Sequence, residues 1–244
     1  MTDGLGEVSR TALWTVYCRA AHAERGLLHD PEAIRIRDAL GLRFGRAADT
    51  FARRAAIFDR VLQAYLDAHP GAAVVSLGEG LETQLHRVRG YGRWTSVDLP
   101  PMLALRERFL APDATHRHLA ASATDLTWLD ALGDGPAFVV AQGLLFYLEE
   151  REAEAIVAAV AARRRVGLMF DVVPPWLVAF SKLKPPVAAS LRIPRMRWGV
   201  DAATLPGRVA GWTGRAVDVA IHPLRMPAGP FPGSFRTVGA SMVL

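Results

Sequence analysis

The chain has 244 residues, of which 51% are hydrophobic and 22% charged, with a formal net charge of +5. That is enough length and apolar content for one large globular domain, which excludes a disordered or fibrous chain. No apolar run approaches the roughly 20 residues needed to span a bilayer, and the basic excess is almost all arginine: Lys182 and Lys184 are the only lysines among 29 basic residues, a bias that fits a GC-rich genome better than a nucleic-acid surface.

Helical spacing comes first, over residues 10–25, 31–40 and 47–68; in the third segment Phe51, Ala55, Phe58, Leu62, Tyr65 and Leu66 form one apolar stripe. His69-Pro70-Gly71 ends it. Strands are then predicted at 73–77, 94–97, 117–121, 137–141 and 166–170, alternating with helices at 101–110, 126–132 and 149–164. This alternation implies right-handed βαβ units and a parallel sheet covered on both faces. Acids open the helix at 149–164 and Arg163-Arg164-Arg165 close it, so the arginine run suits a helix terminus. After Asp171 come Pro174-Pro175, a further helix, a basic stretch at 181–197 with five basic residues and no acid, and two late strands near 216–221 and 237–243 that could pair at the sheet edge. The basic stretch reads either as a solvated loop or as a guard over an anionic substrate.

Cys18 is the single cysteine and fits a small packing residue in a reducing cytoplasm. The N-terminus lacks the basic-then-apolar pattern of a secretory signal. The most telling segment is Val74-Val75-Ser76-Leu77-Gly78-Glu79-Gly80-Leu81-Glu82-Thr83, followed by Val97-Asp98-Leu99-Pro100. It reads as a buried strand, a glycine turn, a helix start near Glu82, and a second strand ending in a carboxylate. Asp98 lies 20 positions after Gly78, a spacing that places an acid beside a ribose diol. The third glycine of a dinucleotide fingerprint would fall at Thr83 and is absent, which favours an adenosine ligand without a pyrophosphate. Other strand ends carry Ser122 to Asp125 and Gln142-Gly143.

VVSLGEGLETQLHRV, WTSVDLPPMLALRERFL, ASATDLTWL and FVVAQGLLFYLEE occur in consistent order, preceded by TALWTVYCRA and RRAAIFDRVLQAYLDAHP. Together they resemble the leucine carboxyl methyltransferase-like family of S-adenosylmethionine-dependent O-methyltransferases, most closely its bacterial polyketide O-methyltransferase branch, over residues 10–172. The resemblance implies an α/β, Rossmann-like class I methyltransferase fold: a seven-stranded, mostly parallel sheet with an antiparallel last strand, an N-terminal helical cap and a lid insertion after strand 5. On this reading residues 1–244 form one domain, with the cap at 1–70, the cofactor core at 71–172, a lid and substrate region at 173–212 and a strand pair at 213–244. The implied cofactor is S-adenosylmethionine, with no metal, held by Arg54, Gly78, Glu79, Gly80, Asp98, Leu99, Ser122, Asp125, Leu126 and Gln142. Asp98 would take the ribose and Asp125-Leu126 would border the adenine. For the cofactor carboxylate, Arg53 points away from the apolar stripe of its helix while Arg54 flanks it, which favours Arg54.

Family members commonly carry Glu-Gly-Leu where this chain has Gln142-Gly143-Leu144. At Glu82 and Gln84 the commoner family residues are aspartate and arginine, so the chain sits in a side branch. Glutamine keeps a carbonyl acceptor for the methionyl ammonium but no charge. No His–Asp pair stands at a telling spacing, so the acceptor-side candidates are Arg19, Tyr17 and Tyr147, with His22 beside them. An absent base and a basic stretch lean towards a small-molecule acceptor bearing a carboxylate or acidic hydroxyl. The competing readings are a nicotinamide-dependent oxidoreductase, a protein carboxyl methyltransferase, a nucleic-acid methyltransferase (for which the Asn/Asp-Pro-Pro-Tyr pattern is missing) and a binding protein without turnover. Neither a nucleic-acid nor a membrane partner is expected.

Overall fold

Short, fully buried apolar runs build the centre of the molecule, and polar residues at their ends build its crevice. The computed structural model describes residues 6–44, 47–183, 194–225 and 236–243. Its sheet consists of β1 (Ala73–Leu77), β2 (Arg93–Asp98), β3 (His116–Ala120), β4 (Ala137–Ala141), β5 (Val166–Val172), β6 (Asp218–Arg225) and β7 (Arg236–Val243). The strand order is β3-β2-β1-β4-β5-β7-β6. β1 to β5 run parallel, while β7 is antiparallel to both β5 and β6. The order reverses between β1 and β4, so connections leave these strands in opposite directions and a crevice opens at their C-terminal ends.

Alternate residues of the central strands enter two cores, as the period of two requires. One holds Val75, Leu77, Val139, Ala141, Leu168 and Phe170 under α5 (Glu150–Ala161) and α7 (Leu205–Thr213). The other holds Val74, Trp94, Phe138, Val140 and Met169 under α3 (Asp49–Ala68), whose Phe58, Leu62 and Leu66 are buried. Each of these three side chains contributes about 2 kcal/mol by leaving water. A third cluster joins α1 (Glu7–Ala23), α2 (Pro31–Ala39) and α4 (Pro100–Glu107) through Val16, Ile36, Leu81 and Met102. The N-terminal helices thus sit over the glycine turn. Among the described residues no helix is long and apolar enough to cross a membrane.

Three expectations change. No α-helix begins near Glu82: after β1 the chain makes turns and one short 3-10 segment, Gln84–His86. The segment expected to be helical at 126–132 is 3-10 instead, Ala123–Asp125 and Thr127–Leu132, interrupted by Leu126 in the left-handed region at φ 56°. α7 is not among the expected helices; Pro206, Gly207 and Gly211 lower its intrinsic propensity, and the burial of Leu205 and Val209 supplies what propensity does not. Of the basic stretch, 184–193 lies outside the described residues. Its preceding helix, α6 (Pro175–Leu183), and its tail at 194–197 are described.

Candidate active site

The crevice opens into a cavity of about 650 Å³, within the range of small-molecule sites. Its floor is the turn after β1. Gly78 and Gly80 adopt φ values of +58° and +57°, which L side chains rarely take. A Cβ on Gly78 would lie 2.9 Å from Leu144 Cδ1, and one on Gly80 would lie 3.0 Å from Ala12 Cβ. The glycines therefore let Leu144 and α1 pack directly against the turn, whose residues line the cavity. Asp98, at the end of β2, accepts from the Gly80 amide at 2.7 Å and the Leu99 amide at 2.8 Å. Burial raises its carboxyl above the ordinary value, and these two amides oppose that shift. One carboxylate is thereby locked to the turn with lone pairs to spare.

Behind the turn lies a dense ionic network. Arg19 contacts Asp30 and Glu82, each at 3.0 Å, and donates to the Leu81 carbonyl at 2.8 Å. Arg87 contacts Asp30, Asp59 and Glu82 at 2.9, 2.7 and 2.8 Å. The Thr83 hydroxyl donates to Asp30 at 2.7 Å, so the position of the missing third glycine is a structural hydrogen bond. Burial disfavours ionisation of Glu82, yet Arg19 and Arg87 outweigh it and hold the carboxyl down at about 2. Glu79 is different: burial pushes it up to about 7 against the pull of Arg106, 3.1 Å away.

At the other side of the crevice Gln142 donates to Glu82 at 3.0 Å, and its Oε1 is buried without a protein partner. Arg54 pairs with Asp171 at 3.0 Å, and its Nε is likewise buried and unpartnered. Asp171 also accepts from the Gly143 amide at 2.6 Å. Gly143 has φ +70°, and a Cβ there would sit 3.1 Å from the Arg54 guanidinium. The rest of the wall is apolar: Trp14, Phe51, Phe146, Leu177, Phe180 and Met196, with Tyr147 among them. Trp14 meets Phe51 edge-on at 4.8 Å, and Arg54 stacks on the Phe51 ring at 5.2 Å.

The profile of the leucine carboxyl methyltransferase family matches residues 11–161, well over half of the chain. The chain belongs to the leucine carboxyl methyltransferase family. This is a family of class I S-adenosylmethionine-dependent methyltransferases. By sequence the chain is similar to the tetracenomycin polyketide synthesis O-methyltransferase TcmP of Streptomyces glaucescens, at 34% identity over 163 residues, which cover 65% of this chain and 60% of that protein. The chain thus spans less than two thirds of the length of that relative. By fold, a Thermobifida fusca structure assigned as a methyltransferase superposes with a TM-score of 0.60 at 14% identity, over 80% of this chain and 81% of the other. Magnesium protoporphyrin IX methyltransferase of Synechocystis, solved with S-adenosylhomocysteine, gives 0.55 at 15% identity, over 87% and 93%. At these identities the likeness establishes the fold alone.

Against this family frame the expected site residues divide. Arg54, Gly78, Gly80, Asp98, Leu99, Ser122, Gln142 and Tyr147 all line the cavity. Glu79 lines it too, but its side chain is fully buried behind the turn, where it pairs with Arg106 and accepts from Trp94 at 3.1 Å. Asp125 caps its own 3-10 turn by accepting from the Ser122 amide at 3.1 Å, and neither it nor Leu126 is among the lining residues. Tyr17 is directed to the Phe44 carbonyl, 2.5 Å away, and is off the cavity. Arg19 does reach the wall, yet its guanidinium is spent on Asp30, Glu82 and Leu81, so it is a structural cation and not an acceptor ligand. His22 is buried 3.1 Å from Asp49, also off the cavity. Burial pushes the Cys18 thiol up to about 11, in line with a packing role.

Asp171 is not among the expected site residues, although it bears the signal that marks Asp98, an acid closing an apolar strand. Trp14, Phe51 and Phe146 give no such signal, because an aromatic at helical spacing reads as core until the opposing wall is known. Lys182, Arg195 and Arg197, the described basic residues of the stretch at 181–197, are exposed and absent from the lining.

Proposed function

We propose that this protein is an S-adenosylmethionine-dependent O-methyltransferase acting on a small, polyketide-like acceptor through a carboxylate or acidic hydroxyl. The observation that carries the reading is the pattern of partners left open along one cavity. A carboxylate tied to a glycine turn stands on one side of the cofactor end. On the other, a buried guanidinium nitrogen of Arg54 and a buried carbonyl oxygen of Gln142 lack protein partners. A donor and an acceptor left open together match the carboxylate and ammonium of an amino-acid group, and Asp98 matches a ribose diol. The residues present therefore fit the cofactor.

S-adenosylmethionine, when bound, supplies a methyl group on a sulfonium, open to in-line displacement by an acceptor oxygen. Asp98 would hold the ribose, with Leu99 and Ser122 flanking the adenine in place of Asp125 and Leu126. Arg54 would hold the carboxylate and Gln142 Oε1 the ammonium. The aromatic wall would orient the acceptor and exclude water, which is the main service such a transfer needs. Tyr147 lines the cavity, and its hydroxyl, raised by burial above its ordinary range, would stay protonated and donate a hydrogen bond to the acceptor. Among the described residues the carboxylates that line the cavity, Glu79, Glu82, Asp98 and Asp171, are all paired or hydrogen-bonded. Glu79, raised to about 7, is fully buried behind the turn, and the other three are held by their partners, so none is poised as a base, which favours an acceptor that is already ionised or readily so.

The apolar wall favours a flat or aliphatic body carrying that one acidic group, and the TcmP likeness supports the polyketide class. We assign the cap to 1–70, the cofactor core to 71–172, the substrate region to 173–212, to which α6 contributes Leu177 and Phe180, and the C-terminal strand pair to 213–244. The single buried cysteine suits a cytoplasmic setting. The reading is tested by S-adenosylhomocysteine release across a panel of aromatic carboxylic acids, acidic phenols, neutral alcohols and amines. Turnover is expected with the first two. Turnover with only neutral alcohols or amines would overturn the acceptor class, and cofactor binding with no turnover on any acceptor would favour a binding protein.

A further inference from the structure

The turn that would carry the cofactor has no helix behind it. In a helix the carbonyls of Gly80, Leu81 and Glu82 would each accept from an amide four residues on. Here side chains from two other helices meet them. Arg106, on α4, donates through Nη1 to the Gly80 carbonyl at 2.9 Å and the Glu82 carbonyl at 2.7 Å. Arg19, on α1, donates to the Leu81 carbonyl at 2.8 Å. Arg106 is fully buried and absent from the cavity lining, so it does not touch a ligand in the cavity directly. Its Nη2 is 3.1 Å from the equally buried Glu79 carboxylate, which belongs to the same turn.

The two arginines differ in what else they are attached to. α1 rests on the turn, with Ala12 Cβ 3.0 Å from the place a Gly80 Cβ would take. The same helix sends Trp14 and Thr15 into the acceptor wall. α4 contributes Met102 to the lining at the cofactor end and nothing to the aromatic wall.

We infer that Arg106 and Arg19 are positioning residues that replace the missing helix as the support of the cofactor turn, and that Arg19 also ties that turn to the acceptor wall through α1. The inference rests on the reading of the cavity as an S-adenosylmethionine site. It separates the two arginines by their effects: Arg106 governs the cofactor alone, and Arg19 governs both ligands.

The test compares the full-length wild type, Arg106→Lys and Arg19→Lys by calorimetry with S-adenosylhomocysteine, by melting temperature, and by KM for cofactor and acceptor. A lysine keeps the charge but cannot span two carbonyls and a carboxylate with a planar fork. Arg106→Lys is expected to weaken S-adenosylhomocysteine about tenfold and leave the acceptor KM within twofold. Arg19→Lys is expected to weaken it similarly and to raise the acceptor KM at least threefold. Should Arg106→Lys fail to fold, Glu79→Gln, which leaves Arg106 in place but removes the carboxyl that faces its Nη2, decides alone at pH 8, where that carboxyl is ionised, with an expected weakening of threefold or more. Folded variants that bind as tightly as wild type overturn the inference, as does an Arg106 variant that shifts the acceptor KM as much as the cofactor KM. A wild type that does not bind S-adenosylhomocysteine refutes instead the cofactor assignment beneath it.

Discussion

At the cofactor end of the cavity the charged groups are fixed by directional contacts: Asp98 is held by two amides, Glu82 by two arginines and a glutamine, and the turn carbonyls by guanidinium groups. At the acceptor end the wall is Trp14, Phe51, Phe146, Phe180 and Met196, shaped by packing with few directional contacts. The difference teaches how the two ligands are recognised. A fixed cofactor is met by fixed dipoles whose orientation is set during folding, and the few atoms left open define it. An acceptor is met by shape and exclusion of water, which single substitutions can retune.

The largest effect should come from breaking the network that makes the cofactor end rigid. Asp30 is fully buried and serves Arg19, Arg87, Thr83 and the first turn of α2 at once. Asp30→Ala leaves two buried guanidinium groups short of a partner, which costs about 3–5 kcal/mol. A fall in melting temperature of roughly 10 °C is expected for a chain of this size. A fall of only a degree or two would mean that the turn is supported in some other way.

A smaller and more local effect is expected at the acceptor end. Trp14→Ala removes an aromatic face without touching the glycine turn or Asp98. It should raise the acceptor KM about tenfold, equivalent to about 1.4 kcal/mol, while S-adenosylhomocysteine affinity stays within twofold. If both ligands weaken equally, the division into two differently built ends does not hold.

The mildest probe is pH. Glu82 sits at about 2 in the fold against an ordinary 4.5, so its ionised form contributes stability above pH 4.5 that is lost as pH falls towards 2. Glu79, raised to about 7, acts in the opposite sense: its contribution is complete below pH 4.5 and is lost as pH rises through 7. Melting temperatures of wild type and Glu82→Gln should therefore keep a steady separation above pH 4.5 and draw together as pH falls below it. A separation that stays constant through the acid range would show that the Arg19 and Arg87 contacts do not hold the Glu82 carboxylate.

These features were unequally legible in the sequence. β1 and β4 are short, β-branched and buried on both faces, so their composition alone marks them, and Asp98 stands out because an acid has no packing purpose at the end of such a strand. The lack of a helix after Gly80 was not legible, since it depends on Arg19 and Arg106, more than 20 residues away on either side, reaching carbonyls that local spacing assigns to a helix. Leu126 was illegible for a related reason. Its left-handed backbone follows from the Ser122–Asp125 cap before it and the Trp128 bond to the Ala123 carbonyl after it, and no propensity foretells that in a leucine. Arg19 lies in TALWTVYCRA, the N-terminal segment of the resemblance, and so reads as an acceptor ligand, while its partners Asp30 and Glu82 lie in segments that only the fold brings together.

The most direct test of the cofactor assignment is a calorimetric titration of wild type and Asp98→Ala with S-adenosylhomocysteine, alongside their melting temperatures. Wild type should bind, and Asp98→Ala should bind at least a hundredfold more weakly, a loss of about 2.7 kcal/mol, while remaining folded. Equal affinity in a folded Asp98→Ala, or no binding by wild type, would contradict the assignment of this cavity to S-adenosylmethionine.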